Sequence, residues 1–101
     1  MNEVRRRVLL RRGTTTAGTW RFTLSVFQNR CAYCGQAHQY LSKDHVVPLS
    51  RGGFDIPKNV VPACQRCNLS KGQQDVRAWM NSRGFDYPLF VLKWLELQRA
   101  L

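Results

Sequence analysis

Two short cysteine pairs, Cys31-Ala32-Tyr33-Cys34 and Cys64-Gln65-Arg66-Cys67, bracket the run Lys43-Asp44-His45-Val46-Val47-Pro48-Leu49. Asn59 lies between that run and the second pair, and Asn68 follows the second pair directly. Two residues between cysteines let both sulfurs of a pair reach one ion, and two pairs complete a tetrahedron of soft thiolates. Cys31, Cys34, Cys64 and Cys67 are all the cysteines of the chain, so they read as one structural Zn²⁺ site with no position left for a substrate. Two disulfides are the competing arrangement, which a chain without a signal peptide disfavours. Such a clasp would gather Asp44, His45, Asn59 and Asn68, a set suited to metal-assisted attack on a phosphodiester.

The surroundings fit that chemistry. A chain of 101 residues, 44% hydrophobic, is sized for one domain with a modest core. Sixteen Lys and Arg against six Asp and Glu give a formal charge of +10, a field that draws polyanions, DNA or RNA first among them. No apolar run is long enough to span a bilayer, and Val8-Leu9-Leu10 is too short for a signal-peptide core. The expectation is a cytoplasmic monomer (in the host cytoplasm if phage-encoded) without membrane contact.

The elements that must position these residues are read from periodicity. Residues 1–18 form a basic N-terminal arm and residues 19–101 a single domain, with a core over about 30–82 and a last helix over about 88–101. Trp20 to Phe27 fits either an alternating strand or a helix with Thr19 as its N-cap. Tyr40 to Leu49 reads as strand and loop, turning at Arg51-Gly52-Gly53, and Asn59 to Pro62 as a second short strand that Pro62 stops. Leu69, Val76, Trp79 and Met80 predict one helix from about Asn68 to Ser82, with Gly84 as its C-cap. The last helix would bury Phe90, Trp94, Leu97 and Leu101. Asp55, Asp75 and Asp86 read as surface or capping residues, and His38 as a residue outside the zinc shell.

Three segments together resemble the HNH endonuclease family, in its subgroup with zinc-binding CxxC pairs. They are Asp44 to Gly53, Asn59 to Cys64 and Cys67-Asn68-Leu69-Ser70-Lys71-Gly72, and the likeness covers roughly residues 30–80. The resemblance implies a small α+β fold: a ββα-metal motif stabilised by the four-cysteine zinc, with flanking helices, one of them before the first CxxC. It implies a DNA endonuclease in which His45 is the general base, Asp44 and Asn68 ligate the catalytic ion, and Asn59 braces the loop. It also implies products with 3′-hydroxyl and 5′-phosphate ends. The family name records a histidine at the last motif position, where this chain has Asn68. An amide oxygen there favours Mg²⁺ or Mn²⁺, with Ni²⁺ as a softer option.

The chemistry asks for the same residue types. Imidazole can take a proton from water near neutral pH. Adjacent strand residues face opposite sides, so a bend or strand end is expected at Asp44-His45. Asn68 is expected at a helix start, where the helix N-terminus would favour phosphate. Arg51, Arg66 and Lys71 are candidate phosphate contacts. Two other functions fit the pattern: a non-catalytic zinc module that binds nucleic acid, and a packaging nuclease active only beside accessory proteins.

Overall fold

The first helix begins where a threonine can close it. In the computed structural model, which describes residues 15–101, Thr16 Oγ1 accepts from Thr19 N at 3.1 Å and Thr19 Oγ1 accepts from Thr16 N at 2.9 Å. This reciprocal box satisfies two orphan donors and opens helix α1 (Ala17–Val26). The helix expected from the family is therefore present, capped by Thr16 rather than Thr19. The arm assigned to residues 1–18 lies outside the described residues up to residue 14, and its last two residues belong to α1.

Gln28 and Asn29, at φ 57° and 54°, turn the chain out of α1 into the first CxxC knuckle. Strand β1 (Ser42–His45) then pairs antiparallel with β2 (Val60–Ala63), with Asp44 opposite Val61 and His45 opposite Val60. Pro62 does not stop β2 as expected; it lies within the strand, opposite Lys43. Its carbonyl accepts from Ala32 N at 2.8 Å, on the edge away from β1, so the donor that proline lacks is not one the ladder needs.

Helix α2 (Gln65–Lys71) follows β2 at once, and α3 (Val76–Ser82) and α4 (Tyr87–Ala100) complete the chain. The single helix expected over 68–82 is thus two. Gly72, at φ 52° and ψ −126°, leaves the helical region in a conformation that side chains with a Cβ rarely adopt, and Asp75 restarts the chain by accepting from Ala78 N at 3.0 Å. Gly84 follows α3 as expected, with Gly84 N bonded to Asn81 O and Phe85 N to Met80 O. Asp86 caps α4 by accepting from Leu89 N at 3.0 Å.

Phe27, Tyr33, Val46, Val61, Trp79, Met80, Phe90 and Leu97 form the core between the sheet and the helices. Tyr33 stands edge-on to Trp79 at 5.1 Å between centroids, so the first knuckle is packed against α3. On α4, Phe90 and Leu97 are buried, Trp94 is half-buried and Leu101 is exposed, which shortens the expected face by one residue. Trp94 Nε1 donates to Lys58 O at 2.9 Å and pins α4 to the turn that precedes β2. Among the described residues no helix is long and apolar enough to cross a membrane.

The loop between the strands is closed by backbone approach. Gly53 N donates to Pro48 O at 3.0 Å, and a Cβ on Gly53 would lie 1.9 Å from Val47 O. Gly53→Ala is expected to cost about 1–3 kcal/mol by forcing that backbone apart, read as a lower urea midpoint. Gly18→Ala, whose Cβ would meet nothing closer than 3.8 Å, should instead gain up to about 1 kcal/mol by helix propensity.

Candidate active site at the end of β1

His45 is the last residue of β1, so Asp44 and His45 diverge at a strand end as side-chain alternation requires. Asp44 turns inward and is buried. Its Oδ2 accepts from Tyr33 Oη at 2.5 Å and lies 3.2 Å from Lys71 Nζ. Lys71 Nζ also donates to His45 O at 2.9 Å. Burial first, and then the Asp44 charge, push the Tyr33 phenol well above its usual range, so the ring keeps its proton and remains a donor. Lys71 is wholly buried, which corrects its assignment as a phosphate contact: its ammonium is turned to Asp44 and to the backbone of His45.

His45 stays partly exposed, and its Nε2 lies 2.9 Å from Asp55 Oδ1. In a neutral ring, Asp55 as acceptor places the proton on Nε2 and the lone pair on Nδ1, on the other side of the ring. Asp55 is therefore more than the surface or capping residue expected of it, whereas Asp75 and Asp86 do cap helices.

Asn59 closes the loop that leaves His45. Its Oδ1 accepts from Val47 N at 2.9 Å, and its Nδ2 donates to Val47 O at 2.9 Å and to Phe54 O at 2.8 Å. Its own carbonyl accepts from Val46 N at 2.9 Å. An amide can in this way accept from the N–H and donate to the C=O of one residue, which a carboxylate could not.

Asn68 lies in the middle of α2, not at its start, with its N–H on Cys64 O at 2.9 Å. No helix N-terminus faces the groove from this residue. Asp44, His45 and Asn68 nonetheless line one groove of about 400 Å³, together with Lys43, Leu69 and Gln73. Asn59 braces this groove without lining it. Arg51 and Arg66 are exposed outside it, and Arg66 lines a separate hollow on the cysteine side of α2. Lys43 is an exposed cation in the groove that motif spacing does not single out, although it directly precedes Asp44.

The four cysteine sulfurs lie within 4.8 Å of one another, and none is in a disulfide. Sulfurs around a tetrahedral zinc stand about 3.8 Å apart, from a Zn–S length of about 2.3 Å, so the donor set fits such an ion. Burial pushes the Cys31 thiol up to about 11 and the Cys67 thiol further still. At Cys64 burial acts the same way, but the Cys67 N–H and the neighbouring thiols outweigh it and bring that thiol below its usual value. His38 Nε2 stands 3.7 Å from Cys34 Sγ, outside the set of four. Because Cys64 is the N-cap of α2 and Cys67 lies within it, the cluster fixes the helix on the sheet and so sets Asn68 across from Asp44.

Two antiparallel strands, a helix laid across them and a polar groove between the strand end and that helix, with a metal-competent cysteine cluster at the start of the helix, define a ββα-metal domain. A family model described as HNH endonuclease matches residues 31–82. The chain belongs to the HNH endonuclease family. It is 34% identical over 74 residues to a CRISPR-associated endonuclease Cas9 of Corynebacterium diphtheriae, covering 69% of this chain and 7% of that protein. It is 29% identical over 91 residues to the SPbeta prophage-derived protein YoqL of Bacillus subtilis, whose name places it among HNH endonucleases, covering 76% of this chain and 40% of YoqL. The chain therefore spans less than half the length of either relative.

Proposed function

We propose that this domain is a DNA endonuclease that hydrolyses phosphodiester bonds with little sequence preference, using His45 as general base. The observation that carries the reading is the single groove lined by His45, Asp44 and Asn68, in which Asp55 holds one imidazole nitrogen and leaves the other for water. His45 Nδ1 takes a proton from water as the water oxygen bonds to phosphorus. The P–O3′ bond breaks, and the 3′-oxygen leaves with its electron pair and takes a proton from solvent water, giving 3′-hydroxyl and 5′-phosphate ends.

Asp44 and Asn68 offer a carboxylate and an amide oxygen, a hard pair suited to Mg²⁺ or Mn²⁺, with Ni²⁺ also to be tried. Both contacts made by Asp44 use Oδ2, so Oδ1 is the oxygen that would hold the ion. A bound divalent ion would stabilise negative charge on the leaving oxygen. Lys43 and Arg51 would meet backbone phosphates, and the four cysteines would hold a structural zinc.

The test is plasmid cleavage across Mg²⁺, Mn²⁺ and Ni²⁺ by the wild type and by His45→Ala, with DNA affinity measured alongside. His45→Ala should cut about 10²–10⁴-fold more slowly, the usual contribution of a positioned base, while salt-sensitive binding persists. A wild type that binds DNA but is inert in every ion would make the domain a binding module. Cutting that appears only on adding a partner protein would make it an accessory nuclease.

A further inference from the structure

A second hollow is larger than the groove that holds His45. It measures about 610 Å³ and lies on the cysteine side of α2, with Cys34, Cys64 and Cys67 of the cluster as well as Tyr40, Arg66 and Arg83 in its lining. Tyr40 is 79% exposed and takes no part in the core, so folding does not account for an aromatic ring at that position. None of the described lining residues is acidic. An exposed aromatic beside two guanidinium groups is the combination that binds unpaired nucleotides: the ring stacks on a base face, and the cations take the phosphate.

The hollow and the groove share one wall. Arg66 and Ser70 of α2 line the hollow, while Asn68 and Leu69 of the same helix line the groove. A helix is about 10–12 Å across, the scale of two or three nucleotides, so one strand could reach both sites around α2. Within a duplex a paired base has its faces covered by its neighbours, so away from a duplex end an unpaired base is the one that presents a face to Tyr40.

We propose that this hollow binds an unpaired nucleotide of the DNA strand being cut, with its base on Tyr40 and its phosphate against Arg66 and Arg83. The proposal rests on the nuclease reading above and narrows its substrate to DNA with a single-stranded stretch beside the scissile bond.

Two oligonucleotides test it, a continuous duplex and the same duplex with a short single-stranded gap carrying 2-aminopurine, both titrated with the full chain without added divalent ion. Wild type and Tyr40→Phe should quench the 2-aminopurine by stacking, and Tyr40→Ala should not. Tyr40→Ala should also weaken gapped relative to continuous DNA by about 5- to 100-fold, the range that loss of one stacking contact gives. Arg66→Ala with Arg83→Ala should shift the same ratio while leaving any residual quenching in place. Equal weakening of both DNAs by Tyr40→Ala, or unchanged quenching, overturns the proposal while leaving the nuclease reading intact. Failure of the wild type to bind either DNA overturns both.

Discussion

Cys34→Ser is expected to leave the chain unfolded at neutral pH, seen as loss of far-UV helical signal and of one bound zinc per chain. Cys34 is the only cysteine of the four that is not fully buried, so the serine creates no void and the loss reports on the ion rather than on packing. The cluster joins the knuckle after α1 to the junction of β2 and α2, segments that the small core alone must otherwise hold together. Structural zinc supplies about 10–16 kcal/mol in small domains, comparable with or larger than the about 5–15 kcal/mol that a folded domain has in total.

At Cys31 the pH dependence differs in sign between loaded and empty protein, whereas the lowered Cys64 thiol favours higher pH in both. In the metal-free fold Cys31 rises from 9.0 to about 11, so its contribution to stability is complete below 9.0 and is lost as pH climbs through about 11. Zinc requires thiolates, so the loaded fold instead loses stability as pH falls and protons compete for the sulfurs. Thermal unfolding followed from pH 8 down to pH 5 should show a falling midpoint. A flat or rising midpoint over that range would mean that no metal is held.

What the chain makes legible is what spacing encodes. Two CxxC units report one metal-competent cluster because each pair is local, and Asn68 follows Cys67 so closely that the cluster carries it to the groove. The Asp44-His45 divergence follows from strand alternation alone. Asp55 is not legible as the partner of His45, because the nine residues between them reach across only through the return of the loop at Gly52-Gly53. Tyr33 is hidden inside a motif whose cysteines dominate it, though its hydroxyl reaches Asp44. The break between α2 and α3 is masked by periodicity: Leu69, Val76 and Met80 keep helical step across a turn that Gly72 and Asp75 both signal. Lys71 departs from its expected role for a physical reason, since a lysine in a basic chain is usually solvated, and only the nearby carboxylate justifies burying it.

Lys71→Met decides between two roles for that lysine, holding a phosphate or neutralising a buried carboxylate. The side chain keeps its length and apolar stem but loses the ammonium, leaving Asp44 with Tyr33 alone and the His45 carbonyl without its donor. Removing one partner of a buried ion pair costs about 3–5 kcal/mol, so the urea midpoint should fall steeply with its slope unchanged. The same change removes a positive charge 3.2 Å from Asp44 Oδ2, which opposes any cation arriving at that carboxylate. Mn²⁺ affinity, measured on the folded fraction at low temperature, should therefore tighten while stability falls. A phosphate-holding lysine produces the reverse pattern. Its loss would weaken DNA binding and flatten the salt dependence by about one unit, with stability unchanged to within about 0.5 kcal/mol. Opposite movements of stability and metal affinity, with the salt slope preserved, are what the buried geometry of Lys71 requires.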